Sequence, residues 1–198
     1  NGKALALAAG IAGAQSPAGP ERSAAVVRGD LGHKLDEYLS RLEALGYSGG
    51  LAVLKGGETV LLKGYGQADR EGGIPMRPDS VFNLGSITKP FTAAAILRLQ
   101  ELGKLKTSDP VSRFFDGVPA DKAAMTLEHL LTHSAGLESD FSPTDYEPTT
   151  REEYARRALA SKLLFAPGEG YEYANSGFSL LAAVVEKMTG KDYESALA

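Results

Sequence analysis

Apolar residues recur at helical spacing from about Asp30, where Leu31, Leu35, Tyr38, Leu39, Leu42 and Leu45 share one face and Gly46 supplies a stop. The period then changes. In GGLAVLKGGETVLLKGYG (residues 49–66), two short apolar runs flank Gly56 and Gly57, which predicts a β-hairpin. A helix is predicted from about Ser86 to Leu102, closed by Gly103. Its apolar residues Phe91, Ala93, Ala94, Ala95, Ile96, Leu97 and Leu99 surround the axis, so burial on most sides is expected. A short helical turn near Asp109 to Phe115 precedes TLEHLLTH (126–133), with Thr126 as N-cap. ESDFSPTDYEPT (138–149) has the composition of a surface loop, and Thr150 with Glu153 has capping-box spacing for a helix to about Lys162. Asn175 or Ser176 opens an apolar helix to Met188, stopped by Gly190, and Asp192 starts another.

These elements predict an α+β fold, a helical cluster packed on an antiparallel sheet. A lone hairpin is marginal, because its apolar face and open edges need further strands, and the chain shows no other convincing strand pair. The sheet is therefore expected to be incomplete in this chain, with residues 30–198 forming the N-terminal part of a larger domain. Residues 1–29 stand apart. NGKALALAAGIAGAQS resembles the tail of a secretory signal peptide cut after Ala14, or else a short Ala-rich helix, and SPAGPERSA reads as a linker. The first alternative implies a periplasmic or secreted protein and leaves a cytoplasmic one open. No apolar run reaches the ~18 residues that a membrane span requires.

Composition narrows the chemistry. The chain has 198 residues, 43% of them hydrophobic, enough to fill a core. Its net charge of -4 comes from interspersed charges with no basic stripe, so nucleic acid is not an expected partner. With no cysteine, thiol nucleophiles and thiolate metal sites are excluded, and the three histidines lack zinc-ligand spacing. No cofactor or metal is expected.

Candidate chemistry begins at NLGSITKPF (83–91), where Ser86 precedes Lys89 by three residues at a helix entrance. Pro90 falls in the first turn, where amides have no helical partners to lose. Residues three apart share a face with Cβ atoms about 5–6 Å apart, so the Ser86 hydroxyl and the Lys89 amine can meet. If the helix is buried, desolvation lowers the lysine pKa and sets a general base beside a nucleophile. On this stretch alone, Ser86 as a plain N-cap with Lys89 reaching to water is an equal reading. A second stretch, PGEGYEYANSGFSLLAAVVEKMTG (167–190), places Tyr173 and Asn175 in a Y-x-N at the turn into an apolar helix, where side chains two apart share a face.

S-I-T-K and Y-A-N in this order, with GYGQADREG (64–72) and HLLTHSAGL (129–137) between them, resemble the superfamily of class C β-lactamases, penicillin-binding serine peptidases and related esterases. The resemblance runs from about Leu31 to the C-terminus. It implies that Ser86 is the acylated nucleophile, Lys89 the base, Tyr173 a proton shuttle to the leaving group, and Asn175 the amide that orients Lys89 and binds the acyl side of the substrate. The Ser86 N–H is then one half of an oxyanion hole. The family's third element, a Lys or His with a small residue and Gly on a late strand, is absent, since KMTG (187–190) ends a helix. A further C-terminal segment or second chain is therefore expected to complete the site. The implied function is a serine hydrolase acting through an acyl-enzyme on an amide, β-lactam or ester, with a small-molecule or peptide-like acyl substrate. The alternative is a non-catalytic relative or inactive fragment that binds peptidoglycan-like or acyl ligands, and this chain alone is expected to be inactive. His133 and Ser134 are read as a packed, capped helix end, His33 as solvated, and Tyr65 as a strand residue. Phe141 and Tyr146 are candidates for a pocket wall or a core cover.

Overall fold

The computed structural model describes residues 24–140 and 148–198. The signal-like segment and most of the linker (1–23), and Phe141 and Tyr146, lie outside the described residues. Among the described residues, those up to Asn83 form one compact unit and those from Leu84 onward a second.

The first unit is built on the predicted hairpin. Strands β2 (Gly49–Lys55) and β3 (Glu58–Tyr65) are antiparallel, and Gly56 and Gly57 take φ of 60° and 85°, the left-handed pair that a two-residue hairpin turn needs. The register shifts between Val53 and Leu54, a bulge in β3 that leaves Val53 opposite Leu61. A third strand, β1 (Val26–Val27), pairs with β3 within the segment read as linker. Two residues are too few to show an alternation in sequence. A second small antiparallel pair, β4 (Gln67–Asp69) with β5 (Ile74–Pro75), corrects the expectation of a single strand pair. Here a polar turn sets the geometry, since the Asp69 carboxylate accepts from the amides of Glu71 and Gly72 at 3.0 Å. Among the described residues no strand pairs with the free edge of β2, so the sheet is incomplete.

Helix α1 (Gly29–Glu43) lies on β3 through Leu35, Leu39 and Leu42, which meet Leu61 and Tyr65. The expected apolar face is therefore narrower, since Leu31 and Tyr38 are exposed and Leu45 lies past the helix end. Gly32 sets the approach, because a Cβ there would fall inside van der Waals contact of the Val60 carbonyl oxygen. Asp36 ties the layers together by accepting from Lys63 at 2.6 Å and from the Tyr65 hydroxyl at 2.8 Å.

The second unit is helical, with α2 (Thr88–Glu101), α3 (Leu127–Leu131), α4 (Arg151–Ala160), α5 (Asn175–Thr189) and α6 (Tyr193–Leu197). The centre is α5, whose Leu180, Leu181, Val184 and Val185 are fully buried. Around it pack α2, α3, α4 and α6. The caps follow the sequence: Thr126 and His129 complete a capping box on α3, and Asp192 caps α6. Thr150 makes only half of its expected box, because the Glu153 carboxylate is turned to Arg156 and Arg157. Helix α2 corrects the expected burial. It covers one stripe, Thr92, Ile96 and Leu99, while Phe91 and Leu97 are exposed. The apolar sequence around this helix exceeds what the described residues cover.

The Asp36 cluster yields a test. Tyr65 is fully buried, so Asp36→Ala strands its hydroxyl and should cost about 1–3 kcal/mol, read as a fall in the urea midpoint. The Lys63 and Tyr65 hydrogen bonds hold the Asp36 carboxyl below its ordinary value of 3.8, and burial with Asp36 alongside pushes the Tyr65 phenol up. The Asp36 contribution is thus present above about pH 4 and lost as pH falls through the lowered value, and Asp36→Ala should flatten that acid limb.

Candidate active site

The site forms where the first turns of α2 and α5 meet. Gly85, Ser86 and Ile87 make a 3-10 turn that runs into α2 at Thr88, so Ser86 lies exposed at the helix entrance and Pro90 sits in the first turn without losing a bond. Lys89 is half-buried one turn on. Its Nζ donates to Ser86 Oγ at 3.1 Å and to Asn175 Oδ1 at 2.7 Å. The Tyr173 hydroxyl donates to Ser86 Oγ at 2.8 Å. The structure therefore brings all four sequence-predicted residues into one hydrogen-bonded group, in which Lys89 and Asn175 are 86 positions apart.

The surroundings are aromatic. Lys89 Nζ lies 4.7 Å from the centre of the Tyr173 ring and 5.6 Å from that of Phe178, within cation–π range. The Lys89 hydrogen bond, then the one to Ser86, hold the Tyr173 phenol below its ordinary value of 10.0. A phenol so placed gives up or passes a proton more readily than a free tyrosine.

A loop after α3 holds this group from behind. The Ala174 amide, between Tyr173 and Asn175, donates to His133 Nδ1 at 3.1 Å, and the His133 ring lies 4.5 Å from the Tyr173 ring, tilted by 31°. The Glu172 amide donates to the His133 carbonyl at 2.9 Å. Ser176 is completely buried, donating its hydroxyl to Glu138 O at 2.6 Å and its amide to Ser139 O at 3.1 Å. Each residue that flanks Asn175 is thus bonded to residues 133–139.

His133 does pack at a helix end, as expected, and it also supports the Y-x-N turn. Its backbone has φ of 57°, the one left-handed non-glycine among the described residues. That strain at a surface of aromatic contacts is a signal not visible in the sequence. Ser134 does not pair with His133, since its hydroxyl exchanges a 2.9 Å hydrogen bond with Thr132. His33 is exposed on α1, and Tyr65 is a buried strand residue. KMTG is the end of α5, where Lys187 donates to Phe114 O at 2.7 Å, so it does not supply the missing third element. Among the described residues no group of three or more His, Asp and Glu side chains is arranged to hold a metal.

The chain belongs to the Beta-lactamase family, whose model matches residues 35–198. It is 34% identical over 165 residues to the putative penicillin-binding protein PbpX of Bacillus subtilis, covering 83% of this chain and 40% of that protein. It is 35% identical over 164 residues to esterase EstB of Burkholderia gladioli, covering 73% and 42%. The crystal structure of a D-amino acid amidase from Ochrobactrum anthropi matches with a TM-score of 0.73 and 30% identity, covering 85% of this chain and 48% of that one. The fold is that of these proteins, helices with small antiparallel sheets, and the chain spans about two-fifths of the length of the two curated relatives.

Gly136 tests the support loop. It has φ of 74°, and a Cβ there would strike the Phe165 carbonyl oxygen. Gly136→Ala is expected to lower unfolding free energy by about 2 kcal/mol or more, with faster amide exchange at Ala174, by denaturation and hydrogen exchange.

Proposed function

We propose that this chain carries the nucleophile half of a serine hydrolase that works through an acyl-enzyme on an amide, β-lactam or ester. One observation carries the reading: the Ser86 oxygen lies within 3.1 Å of the Lys89 amine and 2.8 Å of the Tyr173 phenol. Those are distances for a nucleophile beside a base and a proton relay.

In this reading Lys89, in its amine form, takes the Ser86 proton as Oγ bonds to the acyl carbon. The carbonyl electrons move onto oxygen, which the Ser86 N–H at the start of the turn stabilises. Collapse expels the leaving group, which takes a proton from Tyr173, and Tyr173 regains one from Lys89. Water then attacks the ester on Ser86 by the same relay in reverse and frees the acid. Asn175 fixes Lys89 through its 2.7 Å bond and leaves its amide N–H groups for the acyl side of the substrate. Family relatives include a protein named as an esterase and one named as an amidase, which supports carbonyl chemistry of this class.

The test uses a chain of the relatives' length that carries this sequence, treated with a fluorophosphonate and with a penicillin and read by intact mass. One adduct per chain is expected, absent in Ser86→Ala, with Lys89→Met slowing labelling by about 10²–10⁴-fold. Labelling that survives Ser86→Ala, or a near-normal rate in Lys89→Met, overturns the assignment. Saturable binding without any adduct selects the ligand-binding relative instead.

A further inference from the structure

We propose that His133 is a positioning residue for the candidate site: its unprotonated Nδ1 holds the Ala174 amide while its ring supports Tyr173, so that protonating His133 releases the Tyr173–Asn175 pair and slows acylation at Ser86. The inference rests on the hydrolase reading above and adds to it an acid-sensitive control of the same site.

Geometry carries the argument. Tyr173 and Asn175 touch Ser86 and Lys89 respectively, and Ala174 between them is buried, with its N–H directed at His133 Nδ1 at 3.1 Å. A ring nitrogen accepts only when it carries no proton, so this bond requires the neutral tautomer with hydrogen on Nε2. Charging the ring turns Nδ1 into a donor facing a donor. The buried Ala174 amide then loses its acceptor, and the turn that aims both side chains loses its anchor. The aromatic packing of His133 is extensive: Tyr173 at 4.5 Å, Phe178 at 5.2 Å and Tyr171 at 6.0 Å between ring centres. Its backbone is held left-handed at φ of 57°, a conformation kept where the surroundings over-determine it.

Among the described residues, these groups meet the ring. From α2 comes Lys89, from the segment before α5 come Tyr171 and Tyr173, with the Glu172 amide on the His133 carbonyl, and from α5 comes the uncharged Phe178. Burial first, and Lys89 second, hold the imidazole below its ordinary value of 6.5. A histidine kept neutral by the fold adds stability that is present above about pH 6.5 and lost as pH falls through the lower folded value. The site is thus set for neutral pH and loosens in acid.

Two measurements test this. In the 198-residue chain with 15N-labelled histidine there are only three rings to assign, and His133→Asn removes the relevant one. The His133 ring is expected as the Nε2–H tautomer, titrating below 6.5. The second measurement is the rate of Ser86 labelling by a fluorophosphonate against pH, in a chain of the relatives' length. In the parent the logarithm of the rate should steepen below the His133 midpoint. His133→Asn places an oxygen acceptor at the δ position and tolerates the left-handed backbone, so it should retain a single slope and keep more of the rate than His133→Phe. His133→Phe keeps a ring but has no acceptor, so a loss of about fivefold or more is expected above the His133 midpoint, narrowing below it where the parent has lost the same bond, the net cost of one hydrogen bond being about 1 kcal/mol. An Nδ1–H tautomer, or the same steepening in His133→Asn as in the parent, overturns the proposal. If the parent is never labelled at Ser86, the hydrolase reading fails, and the histidine spectra still decide whether Nδ1 accepts the Ala174 amide.

Discussion

The second unit depends on the burial of α5. Leu180, Leu181, Val184 and Val185 are fully enclosed, and every other long helix of the unit packs on that helix. At roughly 1.5–3 kcal/mol for each large aliphatic side chain taken out of water, these four alone hold α5 in one place. Thr92 and Tyr193, hydrogen-bonded at 2.6 Å in the core, tie α2 to α6. Once both helices are fixed, the first turns of α2 and α5 are fixed too, and Lys89 can reach Asn175, 86 positions away. The polar group at the site is a consequence of the apolar group beneath it.

What was legible in the sequence follows the strength of local signals. The hairpin turn at Gly56 and Gly57, the helix from Thr88 and the capped start of α6 are set by a few neighbouring residues, and their structure matches the reading. Ser86 with Lys89 is a local pair. Their meeting with Tyr173 and Asn175 is not, and only the order of the motifs anticipated it. Strands β1, β4 and β5 were unreadable because two or three residues show no period. Burial of α2 is not legible in the sequence for a different reason. Composition reports that Phe91 and Leu97 are apolar, but cover over them must come from elsewhere in the fold.

His133 shows the same limit at the site. A histidine after an apolar helix looks like a cap, and here the cap role belongs to His129, which accepts from the Thr126 amide. His133, four residues later, turns left-handed and puts its ring under Tyr173. Nothing local distinguishes the two. The distinction comes from the 41-residue separation between His133 and Ala174, which only the fold closes.

Electrostatics explains why the site needs so many partners for one lysine. The start of a helix carries roughly half a positive charge, which repels an ammonium and favours negative charge. Lys89 sits in the first turn of α2, so the dipole works against its charged form there. Two oxygens, of Ser86 and Asn175, and the faces of Tyr173 and Phe178 offset that repulsion. The same helix start favours negative charge at Ser86, which lies at its mouth. Ser86 and Lys89 thus share the field of one helix start, and the geometry of that first turn sets the position of both.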